Sequence, residues 1–241
     1  VHVPGAHALL DAWEQGCGET PIERTLTLLL LAHPQTSRAH LAALSIGVRD
    51  ARLLTLLERS FGPHLEAVTA CPSCSERLDV DLSVGDIRAD PTDACSEFSV
   101  DAGDWEARCR LPTSDDLAAA AESGDVTAAR SLLLRRCVLS LRRCGEPVED
   151  LPEKVAAALL ARLEELDPQG NVQLSLHCPA CGDTWDAVFD VAAYLWMEVD
   201  AWARQAARDV HALASAYGWS EAAILSMSPA RRRLYLEMVE A

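Results

Sequence analysis

Apolar positions along the chain recur with two different periods, and the changes of period divide it. Ala8, Leu9, Ala12 and Trp13 fall at helical spacing ahead of Gly16-Cys17-Gly18, which predicts a helix over residues 6–16. Thr20-Pro21-Ile22-Glu23 reads as a helix start, with Thr20 as N-cap, Pro21 at the first position and Glu23 as the carboxylate of a capping box. That helix runs through Leu26, Leu29 and Leu30 to His33-Pro34, and its all-round apolar character predicts burial. Another is expected over roughly 49–60, with Leu53, Leu54, Leu56 and Leu57, stopping at Phe61-Gly62-Pro63. Residues 1–65 are therefore read as an N-terminal helical layer.

From Leu65 the period shortens. Leu78, Val80 and Leu82 alternate with Asp79 and Asp81, as in a half-buried strand. Pro91 is placed in a polar connection. Phe98 and Val100, then Trp105, Ala107, Cys109 and Leu111, alternate around Asp101-Ala102-Gly103-Asp104, which predicts a β-hairpin and closes a segment of knuckle and strands over 66–112. A helical insertion is expected over 113–168. Thr113 or Ser114 caps its first helix, with Asp115 and Asp116 where carboxylates suit the helix dipole. A longer helix is read from Gly124-Asp125 through Leu132, Leu133, Cys137 and Leu141 to Gly145, and a third from Asp150-Leu151-Pro152 through Leu159 to Asp167-Pro168. Over 169–190, Val172, Leu174 and Leu176 lead in by a strand, and Trp185, Ala187 and Phe189 lead out. Residues 191–241 read as C-terminal helices. Asp190 caps a long amphipathic one ended by Gly218, a short one covers Ser220 to Met227, and Ser228-Pro229 opens the last. There Leu234, Tyr235 and Met238 form an apolar stripe, available either to the protein's own core or to a partner.

Two cysteine turns stand out from this pattern: Cys71-Pro72-Ser73-Cys74 and Cys178-Pro179-Ala180-Cys181. A C-P-x-C knuckle points two thiolates at one place, and two knuckles supply the four sulfurs that structural zinc prefers. Both are followed by similar stretches, Glu76 to Val80 and Asp183 to Val188, as though one knuckle-plus-strand unit were used twice. Between Cys74 and Cys178 lie 103 residues, where an ordinary zinc ribbon has roughly 15–20. The expected fold is thus α+β and mostly helical: a split four-cysteine zinc ribbon with short antiparallel strands, a helical insertion and helical N- and C-terminal parts. Cys71, Cys74, Cys178 and Cys181 are the predicted ligands of one structural Zn2+. His177, beside Cys178, is the one histidine placed to substitute for a sulfur. The alternative is two unrelated cysteine pairs, redox-active or simply buried, but neither pair sits in the strand–helix setting a redox pair requires. Cys17, Cys95, Cys109, Cys137 and Cys144 show no ligand spacing and are expected to be small apolar fillers.

Composition narrows the function. The formal net charge of −16 opposes a nucleic-acid role, because neutralising phosphates needs a positive face. Arg135-Arg136, Arg142-Arg143 and Arg231-Arg232-Arg233 are the local exceptions, each expected as a solvated helix face or a helix C-terminal charge. No apolar run approaches the 18 or so residues of a membrane helix, the start of the chain shows no secretory pattern, and nine cysteines with two C-x-x-C pairs fit a reducing, cytoplasmic setting. No metalloprotease, phosphate-loop, nucleophile-elbow or dinucleotide fingerprint is present. His64, near the first knuckle, is the only histidine worth inspecting for catalysis. A non-enzyme with no small-molecule substrate is expected. The rival readings are a nucleic-acid-binding zinc ribbon and an enzyme with a site assembled from scattered residues.

The order of pieces resembles a known family. Phe61-Gly62-Pro63-His64-Leu65-Glu66-Ala67-Val68 leads into the first knuckle, and Arg110-Leu111-Pro112-Thr113-Ser114-Asp115-Asp116-Leu117 precedes the insertion. After the second knuckle come Gly218-Trp219-Ser220 with Ile224-Leu225, then Ser228-Pro229-Ala230-Arg231-Arg232-Arg233-Leu234-Tyr235-Leu236. Together these resemble the zinc-ribbon baseplate and assembly proteins of contractile phage tails and phage-tail-like extracellular contractile injection systems, over nearly the whole chain. The resemblance implies a non-enzymatic role in building a baseplate or hub, with other baseplate, hub or tail proteins as partners and zinc on the four knuckle cysteines. It also implies a cytoplasmic protein that can be incorporated into the assembled particle.

Overall fold

The computed structural model describes residues 1–89 and 97–240. Four helices come first: α1 (Ala6–Gly16), α2 (Pro21–Ala32), α3 (Arg38–Ala42) and α4 (Ile46–Phe61). The Thr20 cap is as expected: its Oγ1 accepts from the Glu23 N–H at 3.3 Å, while the Glu23 carboxylate accepts from the Thr20 N–H at 2.8 Å. Helix α4 starts three residues before the expected position, because Ser45 caps it by accepting from the Val48 N–H. Strands β1 (His64–Ala70) and β2 (Arg77–Ser83) form an antiparallel hairpin with the first knuckle at its tip, and α5 (Val84–Ile87) follows. Strands β7 (Gln173–His177) and β8 (Thr184–Val188) form a second hairpin with the other knuckle at its tip. The repeated unit is therefore strand–knuckle–strand, one strand longer than its sequence echo.

Between the hairpins the chain builds a separate layer. It comprises β3 (Glu97–Ala102), β4 (Trp105–Arg110), α6 (Ser114–Ala121), α7 (Val126–Cys137), β5 (Val138–Arg143), β6 (Glu146–Pro147) and α8 (Glu153–Leu166). Its antiparallel sheet runs in the order β3-β4-β5-β6. Here the expected long helix to Gly145 is corrected. It ends at Cys137, and residues 138–143 turn into a strand whose Leu141 sits opposite Ala107. The segment 113–168 is thus not wholly helical. Pairing with β4 satisfies the backbone there while Leu141 enters the core. A two-residue turn at Cys144-Gly145, with φ of 49° and 85°, then joins β5 to β6. The strands between Phe98 and Arg110 accordingly belong to this sheet, separate from the hairpin that carries the first knuckle.

After a 3-10 turn (Pro168–Gly170) and β7–β8 come α9 (Val191–Tyr217), α10 (Glu221–Leu225) and α11 (Pro229–Glu240). Asp190 caps α9 by accepting from the Ala193 N–H, and Gly218 ends it with a left-handed φ of 70°. Two apolar clusters result among the described residues. The first joins α1–α5, β1 and α9 around Leu29, Leu53, Leu57, Leu65 and Leu195, and the second joins β3–β5, α7 and α8 around Cys109, Cys137, Leu141 and Leu159. The whole is α+β with short antiparallel strands in small sheets. Cys109 and Cys137 are the buried fillers expected; Cys17 and Cys144 are exposed, the latter because it occupies the turn, and Cys95 and Pro91 lie outside the described residues. No helix among the described residues is long and apolar enough to cross a membrane.

The two layers meet at polar joints. Ser45 and Thr113 form an antiparallel bridge, and the Ile46 N–H donates to Pro112 O at 3.1 Å. Buried Gln169 donates to Ile87 O and accepts from the Ala89 N–H. Asp116 is fully buried, and its carboxylate accepts from both terminal nitrogens of Arg110 at 2.6 and 2.9 Å, from Arg136 Nε at 2.8 Å and from the Thr113 N–H at 2.9 Å. Burial alone would raise its pKa; these donors instead hold the carboxyl well below the usual range. The Arg110–Leu117 stretch is thus the start of α6 clamped to its own sheet. The basic clusters are largely consumed in the same way: Arg143 pairs with Asp104, and Arg232 is buried against Asp209.

Candidate metal centre

Each knuckle is shaped by its own backbone. The Ser75 N–H donates to Cys71 O at 2.9 Å and the Gly182 N–H to Cys178 O at 2.9 Å. At the base, the Cys71 N–H donates to Glu76 O at 2.9 Å and the Cys178 N–H to Asp183 O at 2.8 Å. The residue after each second cysteine is left-handed, Ser75 with φ 62° and Gly182 with φ 77°. Gly is suited to that conformation and Ser is not. The two turns are copies in detail, down to a buried first cysteine and an exposed second one. One hydrogen bond crosses between them, from Ser73 Oγ to Asp183 Oδ2 at 2.5 Å.

The hairpins bring all four sulfurs together. Cys71 Sγ lies 3.6 Å from Cys181 Sγ, and Cys74 Sγ lies 3.6 Å from Cys178 Sγ. All four atoms fall within 4.8 Å of one another. A disulfide would require about 2.05 Å. A tetrahedral ion with metal–sulfur bonds of about 2.3 Å sets its sulfur edges at about 3.8 Å. The spacing matches a shared cation. His177 is exposed and stands outside the group, and His64 is exposed on β1. Among the described residues this is the one cluster of three or more potential metal ligands.

Electrostatics agree with the geometry. The N–H groups of Cys181 and Ala180 face the Cys178 sulfur and draw its thiol down to about 7. The Glu76 N–H pulls Cys74 in the same direction, but the crowding sulfurs of Cys181, Cys178 and Cys71 together with burial outweigh it and push that thiol up to about 12. One thiolate forms readily and a further one is opposed by its neighbours. A divalent cation removes that opposition, and four thiolates select a soft, tetrahedral ion. A tetrahedral ion held by all four sulfurs would have no coordination position left for water.

Comparison with protein-family models, curated proteins and solved structures finds no match. Chemistry rests on the chain's own residues. Sequence reasoning named all four sulfurs that the fold brings together. It placed the apolar stripe Leu234, Tyr235 and Met238 less completely. Tyr235 packs edge-on to Tyr217 and Trp219, whereas Leu234 and Met238 face solvent at 51% and 57% exposure. It missed the polar joint around Arg49, Asp50 and Asp167, whose buried charges lie far apart in sequence or on an apparently apolar helix.

Proposed function

We propose that this chain is a zinc-stapled, non-enzymatic structural or assembly component of the baseplate or hub of a phage-tail-like contractile injection system. The observation that carries the structural half is the convergence of Cys71, Cys74, Cys178 and Cys181 from two hairpins, with 103 residues between Cys74 and Cys178. A closed four-thiolate site offers no open position for catalysis and fixes the hairpins as rigid surfaces. The assembly half is supported by the resemblance of the Arg110–Leu117 and Gly218–Leu236 stretches to baseplate proteins. Contact with other proteins is then the means of action, and the −16 charge opposes nucleic acid as the partner.

The test has two arms. Metal analysis of purified chain should give one zinc per polypeptide, lost only with unfolding of the hairpins; two zincs, or a readily exchanged one, would overturn the single closed site. In a host that makes such particles, deleting the gene should leave tails without complete baseplates, restored by the wild-type gene. Normal particles in the deletion strain would overturn the assembly role.

A further inference from the structure

A cleft of about 390 Å³ opens where the two layers meet. Its walls are apolar: Leu117 from α6, Leu133 from α7, Leu160 and Leu163 from α8, and Val172 and Phe189 flanking the second hairpin. All six are half-exposed, so the cleft is an unfilled apolar surface and not a sealed core. Val188, 69% exposed, stands on its edge.

The polar groups on this surface are of a particular kind. Asp50, Asp167, Asp190 and Glu164 line it against a single base, Arg49. Arg49 and Asp50 are buried to 6% and 7% exposure, and Arg49 bonds to Asp50 through Nε at 2.7 Å. Among the described residues, that leaves the two terminal nitrogens of Arg49 with no hydrogen-bond partner, on a side chain more than nine-tenths buried. Asp50 also feels Asp190 and Asp167, and its carboxyl is held above the ordinary range by burial and by that repulsion. An anionic ligand would add to a local excess of three negative charges. A wholly apolar ligand would leave the guanidinium unanswered. An incoming cation beside an apolar anchor relieves the carboxylates, and a peptide carbonyl beside it can accept from Arg49.

The geometry points to this cleft as a docking site for a basic, amphipathic segment of a partner protein: a bulky apolar side chain between the leucines, with an adjacent Arg or Lys facing Asp50, Asp167, Asp190 and Glu164. Arginine suits such a place because it is weakly hydrated and forks onto carboxylates. The inference rests on the reading of the chain as a protein that acts by contact with other proteins, and it names the surface and the chemistry of that contact.

The probes are three fluorescein-labelled amphipathic peptides that share one Leu/Phe stripe and carry Arg, Gln or Glu at the polar positions. They are titrated by fluorescence anisotropy into the full, metal-loaded chain. The Arg peptide is expected to bind at least tenfold more tightly than the Gln peptide and to weaken with salt, with no binding by the Glu peptide. Val188→Arg, at the cleft edge, should weaken it at least tenfold. Val68→Arg, the same change at a 55% exposed position of β1 outside the cleft lining, should leave it unchanged. Equal loss in both variants would mean undirected attraction to an acidic protein and would overturn the proposal. So would equal affinity for the Arg and Gln peptides, or a cleft closed by self-association in sedimentation. Zinc content and thermal unfolding on the same samples separate failure of the cleft from failure of the metal-stapled fold.

Discussion

Gly47→Ala tests how the two layers are joined. Gly47 is the second residue of α4 and has no left-handed backbone to explain it. Space explains it: a Cβ there would lie 1.7 Å from Asp167 Oδ1 and 2.6 Å from its Cγ. The Gly47 N–H donates to Asp167 Oδ2 at 2.9 Å, so this carboxylate, arriving from the end of α8, helps cap α4 across 120 residues. Burial raises the Asp167 pKa, and the Gly47 N–H is the principal group opposing that rise. An added methyl forces the carboxylate off the helix end or the helix off the turn. Losing a buried hydrogen bond to a charged group costs about 1.5–3 kcal/mol, and overpacking costs about 1–3 kcal/mol. Alanine's better helix propensity returns about 1 kcal/mol.

The expected net loss is about 3 kcal/mol, a large fraction of the stability of an ordinary domain. Urea unfolding of the zinc-loaded chain measures it. Gly85→Ala is the companion, since its Cβ would meet only Ser83 Oγ at 3.5 Å, and it should be neutral within about 0.5 kcal/mol. If Gly47→Ala were as mild as Gly85→Ala, the close approach of Asp167 to α4 would be wrong and the joint between the layers would need another basis.

Other outcomes follow from single groups. Asp116→Ala should cost about 1.5–3 kcal/mol in urea unfolding, because it removes the charged hydrogen bonds of a fully buried carboxylate while Arg110 and Arg136, 28% and 39% exposed, can turn to water. Ser75→Gly should stabilise the zinc-loaded chain by about 0.5–1 kcal/mol, since it removes a left-handed serine where the second knuckle already has Gly182; a loss would refute the equivalence of the turns. Burial pushes Asp50 from 3.8 to about 6, so the folded state holds that proton more tightly than the unfolded state. Stability from this group is therefore full below the unfolded value and falls as pH rises from about 4 to 6, by up to about 3 kcal/mol. Asp50→Asn should match wild type near pH 4 and exceed it at pH 7, and an advantage that fails to grow with pH would refute the assignment. Chelation should expose the amides of β1–β2 and β7–β8 to hydrogen exchange while α4 and α9 stay protected.

The legible parts of the sequence were those whose cause is local. Thr20, Pro21 and Glu23 announce α2 because a capping box uses only its own residues, and C-P-x-C announces a knuckle for the same reason. Residues 138–143 misled because Leu134, Cys137, Val138 and Leu141 also satisfy helical spacing. Pairing with β4 decides in favour of strand, and the sequence of β5 alone does not contain it. Gly145 was the one local warning, a residue suited to the positive φ of a tight turn, whereas Cys144 before it is not. Strand β1 was weakly marked because its inward positions Leu65, Ala67 and Thr69 grade from apolar to polar towards the tip. The polar joint was invisible in principle: Gly47 with Asp167, and Gln169 with Ile87, are contacts across 120 and 82 residues.

That joint changes what a metal at the knuckles would do for the fold. Spacing alone assigns the ion the closure of a 103-residue loop, with the entropy that closure costs. In the folded chain the inserted layer leaves from the base of one hairpin and returns at the base of the other, and both bases are held without the metal. Tyr194 Oη accepts from the Glu66 N–H at 3.0 Å, the Val84 N–H donates to Pro63 O at 2.8 Å, and the ring of Phe189 packs 5.2 Å from that of Tyr194. The knuckles stand at the opposite end, about 20 Å along the seven-residue strands of the first hairpin and about 15 Å along the five-residue strands of the second. Two-stranded hairpins are marginal in water by themselves, and these expose Val68 and Val188 on their outer faces. An ion held by the four cysteines would therefore act on the tips: it would clamp two weak hairpins to each other at the end their own packing reaches least. Its loss should free the hairpins while the helical core persists, and a chain that instead unfolds as one unit on chelation would show that the bases depend on the tips.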